Sequence, residues 1–271
     1  MSLAHLDPHP PRAPHAPGQR TVLATDLDGT FVGGSEQQRA ELYAWIREHR
    51  DHVALVFVSG RGQAHMRELA DQLGLRPDYL IGDVGTSVEA GLDAPPQAHG
   101  ALEPVWQWLR DAWPAHAPRR IEAVMSRHPR LRPQPVVGGR RMSYFYDDEP
   151  AALRAAGELR ALGFDVLLSD NQYFDVLPRG VQKGPTLLRT LRALGLSAQR
   201  TLVAGDTLND LSMFRTGLAG VAVSNREPAL DRALRGSSNV HLSALPGAAG
   251  VLQALQRFHA MGGGQAWLRN W

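Results

Sequence analysis

Short apolar runs alternate along the chain with segments whose apolar residues recur at helical spacing. Thr21–Thr25 is a five-residue apolar strand pattern that stops at Asp26. Residues 35–49 carry Leu42, Trp45 and Ile46 at helix spacing, and Ser35 followed by Gln38 fits a capping box. Val53–Val58 is continuously apolar, the pattern of a strand covered on both faces. Residues 62–73 read as a helix stopped by Gly74, and 79–81 as another short strand. The alternation resumes later, with helix at 184–194, strand at 201–204, helix at 208–215, strand at 219–223 and helix at 227–234. A last helix opens after Pro246 and runs to about residue 259.

Strands separated by single helices predict an α/β fold: a doubly wound, Rossmann-like parallel sheet with right-handed crossovers. The middle of the chain breaks the pattern. A helix at 102–113 is followed by strand-like runs at 121–125 and 142–146, a helix at 151–162, and strands at 164–168 and Tyr173–Leu177. Strands paired around helices predict a small α+β cap domain inserted into the sheet domain. The expected division is a disordered leader over 1–19, a core of 20–88 and 179–260, a cap of 89–178 and a tail of 261–271. Trp106 and Trp113, seven residues apart, fit core packing of one helix face.

Composition narrows the chemistry. With 271 residues and 43% hydrophobic side chains the chain is long enough to bury a core. No apolar run approaches the roughly 20 residues that span a bilayer, which reads as a soluble protein with no membrane partner. The first 19 residues, rich in Pro, His and Ala, lack the apolar stretch of a secretory signal, so the expected location is cytoplasmic. His5, His9 and His15 in that stretch have nothing to hold them in one geometry. The absence of cysteine excludes disulfides, thiolate metal sites and cysteine nucleophiles. A net charge of +2 does not make a nucleic-acid profile. Seven arginines between Arg119 and Arg141 read as a solvated basic face. Of 29 basic residues one is a lysine, Lys183, which singles it out, because an ammonium and a guanidinium do different chemistry.

Ligands of open parallel sheets bind beyond the carboxyl ends of the strands. At those ends stand Asp26 and Asp28, then Ser59, Gly60 and Arg61, then Asp206, Asn209 and Asp210. Each carboxylate alone could cap a helix. Several converging on one edge call for a cation, and oxygen ligands without His or Cys point to a hard one, Mg2+.

The string Asp26-Leu27-Asp28-Gly29-Thr30 resembles the first motif of the haloacid dehalogenase superfamily of phosphatases. Val58-Ser59-Gly60-Arg61 resembles its second, Lys183 its third, and Gly205-Asp206-Thr207-Leu208-Asn209-Asp210 its fourth. Gly85-Thr86-Ser87 and Asp175-Val176-Leu177-Pro178-Arg179-Gly180 resemble the sucrose-phosphatase branch, with Gly29 where that branch commonly has Asn. The resemblance implies magnesium-dependent hydrolysis of a sugar phosphate monoester, sucrose 6-phosphate or a related disaccharide or glycoside phosphate. It implies Asp26 as nucleophile through an aspartyl phosphate, and Asp28 as general acid and base; because Asp28 must be protonated for the first step, a raised pKa or a titration coupled to Asp26 is expected. Lys183 would offset charge, and Ser59, Gly60, Arg61 and Asn209 would bind phosphate. Asp26, Asp28 (through its backbone carbonyl), Asp206 and Asp210 would hold the metal, Asp210 through water or by orienting Lys183. In the cap, Asp170, Asn171 and Asp175 are candidates for sugar hydroxyls, with turn chemistry the rival for Asp170-Asn171. The expected partner is a small-molecule sugar phosphate, and the expected state a monomer or weak homo-oligomer. A sugar phosphomutase and a non-catalytic sugar-phosphate-binding partner of a synthase are the competing functions.

Overall fold

A computed structural model of the chain describes residues 17–92, 94–136, 138–264, 267 and 268. His5, His9, His15 and Trp271 lie outside the described residues. The core is a seven-stranded sheet in the order β11-β10-β9-β1-β2-β3-β4. Its strands are β1 (Thr21–Thr25), β2 (Val53–Val58), β3 (Tyr79–Gly82), β4 (Ser87–Ala90), β9 (Thr201–Gly205), β10 (Ala219–Ala222) and β11 (Val240–Leu242). All pairs are parallel except β3 with β4. The centre of the sheet is buried on both faces, which is why β1, β2 and β9 read as unbroken apolar runs.

Helices cover both faces. On one side α1 (Glu36–Glu48), α2 (Gln63–Leu73) and α9 (Gly247–Ala260) pack over Leu23, Leu55 and Leu202. The capping box of α1 forms as expected, with Ser35 and Gln38 exchanging side-chain to backbone bonds. Trp267 of the tail is fully buried in this layer, its ring 5.8 Å from that of Phe258. On the other side α6 (Lys183–Ala193), α7 (Leu211–Phe214) and α8 (Pro228–Leu234) pack over Val22, Ala24 and Val203. Among the described residues no helix is long and apolar enough to cross a membrane.

The inserted unit is a four-stranded antiparallel sheet in the order β5-β6-β8-β7. Its strands are β5 (Arg132–Pro133), β6 (Met142–Phe145), β7 (Asp165–Ser169) and β8 (Tyr173–Leu177), backed by α4 (Ala117–Met125) and α5 (Glu149–Ala161). Two expectations need correction. The run at 121–125 is not a strand but the end of α4. Its buried residues Ala117, Ile121, Val124 and Met125 follow helical spacing, and Pro118 opens the helix. The helix α3 (Ala98–Ala112), expected in the cap, packs with β4 on the large sheet: Ala98, Leu102, Val105 and Leu109 join the core layer of α6. Trp106 of α3 donates its indole N–H to the Val88 carbonyl of β4 (2.8 Å), whereas Trp113 packs on Phe164 of the inserted unit.

Candidate active site

Asp26 follows the last residue of β1, and its amide donates to the Ala204 carbonyl of β9 (2.9 Å). This holds the first turn after β1 against the neighbouring strand. The turn needs Gly29 at φ +76°, and a β-carbon there would lie 2.2 Å from Asp206 Oδ2. The first and fourth motifs are therefore packed backbone to carboxylate. Thr30 Oγ1 donates to Asp206 Oδ1 (2.8 Å) across the same junction.

Lys183 begins α6 and is fully buried. Its ammonium spends its three protons on Asp26 Oδ1 (2.6 Å), Asn209 Oδ1 (2.6 Å) and Asp210 Oδ1 (2.7 Å). The other oxygen of Asp210 accepts from the amides of Asp206 (2.9 Å) and Thr207 (3.0 Å). Asp210 thus orients the lysine and ties down its own loop. Ser59 is buried, and its hydroxyl accepts from the Arg61 amide (3.1 Å), which shapes the loop ahead of α2; the N-cap of that helix is Gly62.

Three buried carboxylates face one ammonium. Asp26, Asp206 and Asp210 each bring an oxygen within 4.8 Å of the others. Burial, reinforced by Asp210, pushes Asp26 well above the usual carboxylate range despite the Lys183 contact. Burial and Asp210 push Asp206 up to about 7. Burial alone would lower Lys183, but Asp210 and Asp26 outweigh it and hold it above its ordinary value. An unneutralised, all-oxygen, negatively charged pocket of this kind fits a hard cation.

Asp28 stands apart. It is 57% exposed and accepts from Arg61 Nε (2.6 Å) and Nη2 (2.9 Å), a bidentate pair. Both residues line a cleft of about 530 Å3 between the large sheet and the inserted unit, together with Asp26, Gly60 and Asn209. From the inserted unit the cleft receives Asp170, Asp175, Tyr173 and Arg141. Asp170 and Asn171, both at φ 50°, are the central residues of the turn in the three-residue β7–β8 connection, closed by the Gln172 amide on the Ser169 carbonyl (3.2 Å). Asp170 reaches the cleft, while Asn171 is an exposed turn residue outside the described lining. Asp175 is engaged by Arg141 Nη1 (2.9 Å) and by the Ser143 hydroxyl.

Residues not singled out by sequence also converge here. Asn225, beyond the end of β10, donates to the Gly29 carbonyl (2.9 Å), and Glu227 accepts from the Leu208 amide (2.8 Å). Both follow a core strand end, a position where the strand-end rule could have found them. Asp83, directly after β3, carries the same signal, whereas Arg141 carries none.

The sequence profile described as sucrose-6F-phosphate phosphohydrolase matches residues 19–259. A glucosylglycerol-phosphate synthase of Pseudomonas anguilliseptica is 38% identical over 245 residues, 89% of this chain but 31% of that protein, so the chain spans about a third of the synthase's length. The mannosylfructose-phosphate phosphatase of Agrobacterium fabrum is 31% identical, the match covering 88% of this chain and 96% of that protein. The structure of a Synechocystis sucrose-phosphatase, solved with sucrose and phosphate, superposes with a TM-score of 0.77 at 27% identity, over 89% of this chain and 98% of the other. Three motifs on the expected strand ends, the lysine of the remaining motif beside them and the profile match over nearly the whole described chain agree: the chain belongs to the sucrose-6F-phosphate phosphohydrolase family of haloacid dehalogenase-like phosphatases.

Proposed function

We propose that the chain removes phosphate from a glycoside or disaccharide phosphate, with Asp26 as the covalent nucleophile. The observation that carries this reading is the buried Asp26–Lys183–Asp210 relay beside Asp206, at the floor of a cleft large enough for a sugar phosphate. A free Asp26 oxygen attacks phosphorus as the bond to the sugar oxygen breaks, leaving an aspartyl phosphate and an alkoxide. Asp28 gives its proton to that alkoxide, then takes one from the water that attacks the phosphoryl group and frees Asp26. For this Asp28 must first let go of Arg61, whose guanidinium is then available to the phosphate. Lys183 offsets the charge gathering on Asp26 and the phosphoryl oxygens, and the Ser59 hydroxyl and Asn209 border the same anion.

Magnesium bound here would screen nucleophile from substrate and draw charge from the phosphoryl oxygens. Asp26, Asp206 and the Asp28 carbonyl would hold it, with Asp210 acting through Lys183. Asp26 raised by burial is a poor nucleophile until a cation restores its charge, which ties the metal requirement to the residues themselves.

The compounds for which these relatives are named share a pattern, a glycosyl group joined to a phosphorylated alcohol or sugar. The substrate is assigned to that class. The test is phosphate release from sucrose 6-phosphate, mannosylfructose phosphate, glucosylglycerol phosphate and glucose 6-phosphate, with magnesium or with chelator. Release that needs magnesium and vanishes in Asp26→Asn supports the assignment. No release from any of them by folded protein, with sugar phosphate isomerised once a hexose bisphosphate is added, would replace it with the mutase.

A further inference from the structure

Two contacts close the cleft, and each joins the inserted unit to a different loop of the candidate active site. On one side stands Arg141, 8% exposed, just ahead of β6. Besides its bond to Asp175, it reaches across the cleft with Nη2 to the Gly60 carbonyl (2.9 Å) and Asp83 Oδ1 (3.4 Å). Next to it the Arg140 amide donates to Thr86 Oγ1 (3.0 Å), and Gly139, at φ +71°, lies so close that a β-carbon would be 2.7 Å from Asp83 Cβ. On the other side Glu227 accepts from the Asp170 amide of the β7–β8 turn (2.8 Å) with one oxygen and from the Leu208 amide (2.8 Å) with the other.

The core partners are the point of interest. Gly60 lies between Ser59 and Arg61, and Leu208 between Asp206 and Asp210. Beneath Arg141 the turn Asp83-Val84 sits at φ +53° and +59°, a conformation that a β-branched valine rarely adopts. Its amides donate to the Arg61 carbonyl (2.9 Å) and the Ser59 carbonyl (3.1 Å). Such a turn persists only where its surroundings hold it, and one of the holders is an arginine from the other unit.

We propose that seating of the inserted unit is relayed to the phosphate and metal loops by Arg141 and Glu227. Arg141 positions the Ser59–Gly60–Arg61 loop and its supporting turn, and Glu227 positions the Asp206–Asp210 loop. Both are positioning residues; neither needs to touch the reacting atoms. Arg141 Nε is buried with no hydrogen-bond partner among the described residues, so the seated arrangement leaves one of its donors unmet. The relay rests on the phosphatase reading for its catalytic consequence, but not for its structural one.

Three variants of the full chain test it: Gly139→Ala, which obstructs seating without removing a charge, Arg141→Lys and Glu227→Gln. Amide hydrogen exchange should rise on the order of tenfold in 59–62 and 83–86 for the first two, and in 206–210 for the third. kcat should fall on the order of tenfold both for the sugar phosphate and for a small aryl phosphate, as expected of misplaced groups, with KM for the sugar phosphate little changed. A rise in KM for the sugar phosphate alone would make Arg141 a sugar ligand and overturn the relay. Lower melting temperature with unchanged exchange and kcat would reduce the contacts to ordinary buried bridges and also overturn it. If the wild type turns over no phosphate ester, the phosphatase reading fails, and the exchange data still decide the relay.

Discussion

Two buried charge clusters stand at opposite ends of the same sheet, and they are built on opposite principles. Where the strands begin, Asp78 accepts from Arg20 (2.9 Å), from Arg50 and from the Leu55 amide (2.8 Å). One carboxylate meets two guanidiniums, and Arg20 also caps the Val53 carbonyl (2.7 Å). Where the strands end, three carboxylates cluster around one ammonium that bonds only two of them, Asp26 and Asp210. The first cluster keeps both guanidiniums partly exposed, so water meets their excess charge, and it fastens the starts of β1, β2 and β3 together. The second carries an excess of buried negative charge that an outside cation or bound protons must offset. Burial by itself does not mark function; burial with unbalanced charge does.

The largest effect expected of this contrast is on activity. Asp26→Asn should lower turnover by at least about 10³-fold, since a nucleophile is lost, while melting temperature holds or rises because a like charge is removed. A variant that melts early would mean the site cluster is structural after all. Asp78→Ala should do the reverse: a loss of roughly 3 kcal/mol in urea unfolding, as for a broken buried pair, with kcat unchanged.

Next comes pH. Asp206, pushed up to about 7, and Asp26, also raised, keep their protons in the folded state after the unfolded chain has lost them. Their contribution to stability is full below the unfolded carboxylate range and is lost as pH rises through about 7. Without metal the melting temperature should therefore fall between pH 5 and 8. Magnesium should restore it at pH 8, help little at pH 5, and release protons on binding near pH 6 in calorimetry. A metal-free protein that gains stability over that range would remove the unbalanced-charge account. The smallest effect belongs to an exposed pair that is part of neither cluster. Arg127→Ala, which breaks the surface contact with Glu158, should leave the urea-unfolding midpoint essentially unchanged.

Much of this was legible in the chain. The apolar runs of β1, β2 and β9 each end at a motif, because strands buried on both faces leave polar residues only where they stop. Asp26, Ser59, Asp206, Asn209 and Asp210 follow from that one rule, whereas Lys183, at the start of α6, stands out as the sole lysine. What escaped was set by packing rather than pattern. The segment 121–125 is apolar enough for a strand, and only its phase with Ala117 makes it helical. The strand β4 buries a single strong β-former, Val88, and α3 follows it onto the large sheet, a packing choice with no local signature. The bond from Arg141 to Gly60 spans 81 residues and that from Asp170 to Glu227 spans 57; neither has a local signature. The pairing of Asp28 with Arg61 was equally invisible, since the motifs gave the two residues separate tasks.

The central claim is that Asp26 carries the phosphoryl group. Acid quenching of the enzyme during turnover of a sugar phosphate, followed by mass spectrometry of its peptides, tests this most directly. The expected result is a phosphoryl group on Asp26, absent from Asp26→Asn and from enzyme without magnesium. Steady turnover with no phosphoryl group on the chain, or with the group on another residue, would contradict it.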